Sequence, residues 1–220
     1  MADAKSTWII NFHGIGEIER AFDPGESEVW LDIDRFRSIL DSIEGKPDLQ
    51  ITFDDGNQSD LEIAVPELLK RDLRAVFFIP AGKIGEETFL TCEGLKEMVS
   101  AGMQIGSHGW SHRAWRSLDP SIRRQEFEES KNRLEQIIQR PVDLAACPFG
   151  DYNRSVFRHL RSAGYRAAYT SDRGIAIEGQ FAKPRNTVHA NDDGESLLSE
   201  RHTFEDSLQR RLRLAVKRWR

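Results

Sequence analysis

Short apolar runs alternate with helix-patterned segments along most of the chain, and this rhythm narrows the fold more than any other feature. TWIINF (7–12), LQITF (49–53), AVFFIP (75–80), MQIGSH (103–108), LAACPF (144–149) and YRAAYT (165–170) read as strands. The unbroken apolar content of AVFFIP marks a strand buried on both faces. Between the runs, Ile33, Phe36, Ile39, Leu40 and Ile43 recur at helical spacing. Ser59 reads as an N-cap, with Glu62 completing a capping box. A helix from about Cys92 to Ala101 stops at Gly102, and another from Asn153 to Ala163 stops at Gly164. The longest helix is expected over about 120–139, capped by Asp119 with Pro120 at its first position. Such alternation predicts an α/β protein with a parallel sheet, closed or nearly closed into a barrel.

Length and charge set further bounds. A chain of 220 residues can form one large domain, and no repeat, low-complexity tract or long linker divides it. A net charge of −5 with 30% charged residues does not describe a general nucleic-acid binder. No apolar run approaches the roughly 20 residues that a membrane span needs. The opening MADAKSTWIINFHG lacks the layout of a cleavable signal, so a cytoplasmic protein is expected. Cys92 and Cys147 form no disulfide framework and read as free thiols.

In barrels of this kind, reactive side chains gather at the C-terminal ends of the strands. Asp54, His108 and Pro148 all fall at such ends. Asp54 and Asp55 are adjacent carboxylates, which repel unless a positive charge sits nearby. SHGWSH places His108 and His112 four residues apart, a spacing that lets two imidazoles face one point. Two histidines and one carboxylate leave positions open for water and substrate, as a catalytic metal site requires. An ion there explains how both aspartates stay charged.

TFDDG (52–56), HGWSH (108–112) and CPFGDYN (147–153) together resemble the first three motifs of the polysaccharide deacetylases, carbohydrate esterase family 4. The resemblance runs from NFHGIG (11–16) to about His189 in the family's motif order. It implies a deformed (β/α) barrel, with a catalytic domain over residues 1–205, and removal of an N-acetyl group from an amino sugar. The expected substrate is an acetylated polysaccharide, oligosaccharide or lipid-linked glycan in a biosynthetic setting. By position, Asp54 is similar to the general base, Asp55 to the carboxylate ligand, and His108 and His112 to the histidine ligands. The expected cofactor is a divalent ion, Zn2+ first, with Co2+, Ni2+ or Mn2+ also accommodated by this donor set. The third motif, Pro148-Phe149-Gly150, implies an oxyanion-binding N–H at Phe149.

The chain departs from the family in two places. Ala146 stands where an arginine often pairs with the catalytic aspartate, and Arg185 in KPRNTVH is the candidate replacement. The late motif that supplies a proton-donating histidine is poorly matched, and His189 is the candidate for that role. His13 can line the same cleft, and Trp110 can stack on a sugar ring or pack in the core. Two other readings fit the same residues: a metal-dependent deacylase with an O-acetyl, formyl or non-sugar amide substrate, and a carbohydrate-binding homologue with weakened catalysis.

Residues 206–220 form a basic amphipathic helix or tail, with Leu208, Leu212, Ala215 and Trp219 on one stripe among arginines and lysine. Such a segment can lie on an anionic membrane surface, which suggests peripheral contact at the inner face, or it can dock on the barrel. Nothing in the sequence fixes the oligomeric state.

Overall fold

The computed structural model describes residues 5–17 and 25–204. Strand β1 (Ser6–Phe12) ends in five buried residues, as a strand covered on both faces must. β2 (Leu49–Phe53), β3 (Ala75–Ile79), β4 (Gln104–Ser107), β5 (Leu144–Ala146) and β6 (Ala167–Thr170) follow it side by side, all parallel. The connections carry α1 (Ile33–Ile43), α2 (Val65–Lys70), α3 (Cys92–Ser100), α4 (Ser130–Ile138) and α5 (Arg154–Ser162). Asp32, Thr91 and Asn153 cap α1, α3 and α5 by accepting a backbone N–H three residues on.

Three very short strands then finish the sheet. β7 (Ile175–Ile177) runs antiparallel to β1, β8 (Ala182–Pro184) pairs with β6, and β9 (Asn186–Thr187) pairs with β1. The segment 182–187 therefore reaches from one end of the sheet to the other, with Arg185 at the crossing point. The result is a nearly closed α/β barrel, as the alternating pattern predicts. α6 (Gly194–Phe204) packs on α1.

Side chains alternate between two cores. Phe12, Phe53 and Phe77 stand in register on adjacent strands, with ring centroids 5.3 and 4.6 Å apart, facing the helices. Phe36 of α1 meets Phe12 edge-on at 5.2 Å. The neighbouring positions turn inward, where Ile9, Val76, Phe78, Leu144, Ala146, Ala167, Tyr169 and Ala176 form a second cluster. The same alternation sends Asn11, Thr52 and Asp54 into the barrel above that cluster. Interior packing thus forms the floor of a polar layer.

Two helices differ from their sequence expectation. Ser59 is not an N-cap: it already has helical backbone angles, and its hydroxyl accepts from the Ile15 N–H. Glu62 instead accepts from the Gln58 amide. The turn Asp60–Ala64 is a wide, π-type one, in which Val65 N–H reaches back five residues to Asp60. Pro66 explains this, since it has no N–H for the Glu62 carbonyl and its ring would crowd an α-turn. The expected helix over 120–139 also changes pitch. Asp119 caps a short 3-10 turn (Pro120–Ile122), followed by a second π-type turn (Gln125–Glu129) that leads into α4. There the Ser130 hydroxyl donates to the Glu126 carbonyl at 2.6 Å, and Ser130 N–H bonds Gln125 instead.

Among the described residues, no helix is long and apolar enough to cross a membrane. The basic segment 206–220 lies outside the described residues.

Candidate active site

Asp54 leaves the end of β2 pointing into the barrel, where Arg185 meets it. Arg185 Nη1 donates to Oδ1 at 2.6 Å and Nη2 donates to Oδ2 at 2.7 Å, a two-bonded fork. Asn11 completes the arrangement. Its amide donates to Asp54 Oδ2 at 3.1 Å, while its carbonyl oxygen accepts from Arg185 Nη1 at 2.7 Å. The Arg185 side chain is fully buried, and its guanidinium lies 5.2 Å from the Phe78 ring centroid. Burial alone would raise the Asp54 pKa. The Arg185 charge, aided by His108, more than offsets it and holds the carboxyl well below the usual range. The place left by Ala146 is therefore taken, in space, by an arginine from the closing segment.

Asp55 faces the other way, toward two imidazoles. Its Oδ1 lies 3.1 Å from His112 Nε2 and 3.7 Å from His108 Nε2. Neither approach is a hydrogen bond, and among the described residues this buried oxygen has no donor. His108 Nδ1 lies 2.9 Å from the Ala146 carbonyl oxygen, an acceptor, so Nδ1 carries the proton and Nε2 presents its lone pair. The Asp55 carboxylate oxygen, the His108 lone pair and His112 Nε2 thus converge on one point. The donor atoms of Asp55, His108 and His112 all lie within 4.8 Å of one another. That is the chemistry of a cation site, and these three residues fit a divalent ion. Burial pushes the His108 pKa down to about 4 against the pull of Asp54, keeping the ring neutral as a ligand must be. Burial likewise opposes the charge on Asp55, but His112, His13 and His108 overcome it and its pKa is lowered.

The backbone is bent sharply around these groups. Asp55, His112 and Phe149 have φ of 77°, 52° and 57°, left-handed values that L-residues seldom adopt. Strained positions of this kind collect at functional sites.

A cavity of about 530 Å³ opens over the site. Of the residues singled out in the sequence, Asp54, Asp55, His108, His112, His13 and Phe149 line it. His13 Nδ1 is buried, with no hydrogen-bond partner among the described residues. Phe149 is 69% exposed, and its ring centroid lies 4.6 Å from that of His112. Pro148 and Gly150 are buried beside it and shape the turn. Arg185, Pro148 and Gly150 stand behind the lining residues, whereas two further candidates point elsewhere. His189 lies beside Arg173, with Nε2 3.4 Å from a guanidinium nitrogen, and Trp110 packs between Gly82 and Arg133. Sequence reasoning missed Asn11, Lys83, Glu26 and Ser171. Only Asn11 carried a signal, as the single polar residue within WIINF (8–12).

Fold and site together define a class: α/β-barrel proteins with a carboxylate and two histidines converging at the strand ends. The sequence profile of the polysaccharide deacetylases matches residues 41–168, more than half of the chain, and the chain belongs to that family. The Bacillus subtilis protein YxkH, whose name assigns it provisionally to the polysaccharide deacetylases, is 31% identical over 140 residues, 63% of this chain. The match spans about half the length of that curated relative. Solved structures agree on the fold. The Streptococcus pyogenes deacetylase PplD, in complex with acetate, superposes with a TM-score of 0.79 at 23% identity, covering 89% of this chain and 98% of that one. BC0361, a polysaccharide deacetylase from Bacillus cereus, gives 0.78 at 21% identity over 89% of this chain and 69% of that one. A de-N-acetylase from Aggregatibacter actinomycetemcomitans gives 0.76 at 13%, covering 89% and 99%.

Proposed function

We propose that the protein is a metal-dependent deacetylase that removes an N-acetyl group from an amino sugar within a polysaccharide, oligosaccharide or lipid-linked glycan. The observation that carries this reading is the donor-free Oδ1 of Asp55 facing two imidazole nitrogens, next to an arginine-paired Asp54, in one cavity. Asp55, His108 and His112 would hold a divalent ion, Zn2+ in our reading, which would supply Lewis acidity for the acyl carbonyl and for activating water.

The protein's own groups do the rest. Asp54, kept ionised and aimed by Arg185 and Asn11, receives the proton that the attacking water loses. The Phe149 N–H donates to the carbonyl oxygen as it gains charge. As the C–N bond breaks, the amine nitrogen takes a proton, and we assign that donation to His13. It lines the cavity and has a free buried Nδ1, whereas His189 sits against Arg173. The products are acetate and a free amino sugar. The exposed Phe149 ring, with Phe89 nearby on the wall, offers an apolar face for a sugar.

The test is acetate release from a panel of acetylated saccharides, with and without a chelator. Release by the wild type, lost on chelation and lost in Asp54→Asn while metal still binds, is the expected pattern. Bound metal without acetate release from any substrate would overturn the reading in favour of a binding protein.

A further inference from the structure

The two histidines of SHGWSH are not held equally. His108 is fixed by the barrel: its N–H donates to the Ile79 carbonyl at 2.9 Å, and its ring bonds Ala146. His112 follows a three-residue excursion (109–111) and has a left-handed φ of 52°. What fixes that excursion is Glu126, in the wide turn before α4. The Trp110 N–H donates to its Oε2 at 2.9 Å and the Ser111 N–H donates to its Oε1 at 3.1 Å. Trp115 Nε1 lies 3.5 Å from Oε2. At the near end of the loop, the Gly109 N–H donates to Ser107 Oγ, which also contacts Ser130 one turn after Glu126.

Three features set Glu126 apart from an ordinary brace. It is 1% exposed, yet no lysine or arginine lies within ion-pairing distance among the described residues. A buried carboxylate is costly, and here only N–H donors offset the cost. Gly109, at a left-handed φ of 80°, leaves room for the approach, since a Cβ there would stand 2.4 Å from Oε2. Finally, all three donors are N–H groups, so both carboxylate oxygens must accept. A glutamine of the same shape would turn its NH2 toward one of them.

We propose that Glu126 is a positioning residue for His112: by gripping the N–H groups of Trp110 and Ser111, it sets the loop that delivers the second imidazole to the cation site. The proposal rests on the metal reading of Asp55, His108 and His112. Partners behind metal ligands typically change metal affinity about 10- to 100-fold when removed.

The experiment measures Zn2+ affinity by chelator competition and the visible spectrum of the Co2+-loaded full chain, for wild type and Glu126→Gln. We expect about tenfold or greater loss of Zn2+ affinity and an altered Co2+ spectrum, in a protein whose far-UV circular dichroism is unchanged. On a His112→Asn background the same change should cost nothing further. Wild-type affinity and spectrum in Glu126→Gln would overturn the proposal, as would an undiminished loss on the His112→Asn background. If Glu126→Gln does not fold, Glu126→Asp, which keeps the charge but shortens the reach, is read in the same way. A wild-type protein that binds neither ion would instead sink the metal reading.

Discussion

Arg185 and Asp54 meet through two parallel hydrogen bonds of 2.6 and 2.7 Å, the guanidinium coming from the segment that closes the barrel and the carboxylate from the end of β2. Arg185 N–H also donates to the Thr170 carbonyl on β6, while the next residue pairs with β1. Closing the sheet and charging the candidate base are therefore one event. In a fold where the closing strand had slipped, Asp54 would be a buried acid without a cation.

Removing one partner of a buried pair strands the other charge. Arg185→Met should cost about 3–5 kcal/mol of stability in denaturant unfolding. Arg185→Lys keeps the charge but cannot form the fork, so it should recover part of that stability. Deacetylation should still fall about 100-fold, since small misplacements of a reacting group have that effect. Full activity in the lysine variant would show that charge alone, not aim, is what Asp54 needs.

Stripping divalent ions should lower the melting temperature, and Zn2+ should restore it. At 100 times its dissociation constant, a ligand of the native state adds about 2.7 kcal/mol. His112→Asn is the control, because asparagine tolerates a left-handed φ and only the imidazole is lost. That variant should lose most of the Zn2+-dependent shift. An equal shift in both proteins would remove His112 from the site.

Asp60 is a buried carboxyl, and among the described residues no side chain donates to either of its oxygens. Burial, then the nearby charges of Asp55 and Asp54, raise its pKa well above the usual value. Unfolding lets it ionise near its ordinary value of about 3.9, whereas folding keeps it protonated. Stability from this group is thus complete below about pH 3.9 and declines as pH rises toward the folded pKa, by about 1.4 kcal/mol per unit. His108, shifted down, tilts the curve oppositely over acidic pH, so the informative quantity is the difference between wild type and Asp60→Asn. The wild type should lose stability relative to the variant as pH rises, followed by thermal unfolding across pH 4–9. Parallel curves would mean that Asp60 ionises freely in the fold.

How much of this was legible from the sequence depended on the range of each signal. β2 and α1 were readable to the residue, because an apolar run or a helical stripe is local information. β7, β8 and β9 were not, since two or three residues carry no periodicity and form strands only because the sheet needs closing. The candidate metal ligands were legible because Asp55 and the His108–His112 pair sit in short motifs. Asn11 and Glu126 were not, as each acts through atoms 43 and 15–16 residues away in sequence. His189 and His13 show the same limit: their order along the chain says nothing about which one the closing barrel turns toward the cavity.

The clearest acid-sensitive element lies away from the site. Glu67 on α2 is buried and accepts from Lys70, Arg71 and Arg37, the last reaching across from α1 at 3.1 Å. Hydrogen bonds from Lys70 and Arg71, with a further one from Arg37, outweigh burial and pull its pKa down to about 2. The unfolded chain protonates it near 4.3, so its contribution is whole above that pH and is lost as pH falls toward about 2. Hydrogen bonds to a charged group are worth about 1.5–3 kcal/mol, and Glu67→Gln should cost about that much at pH 7. The gap between the two proteins, followed by urea unfolding at pH 7, 5 and 3, should hold at the first two values and shrink at the third. A gap of the same size at pH 3 would mean that glutamine fails there for want of shape, and that the three cations do not clasp α1 to α2 through charge.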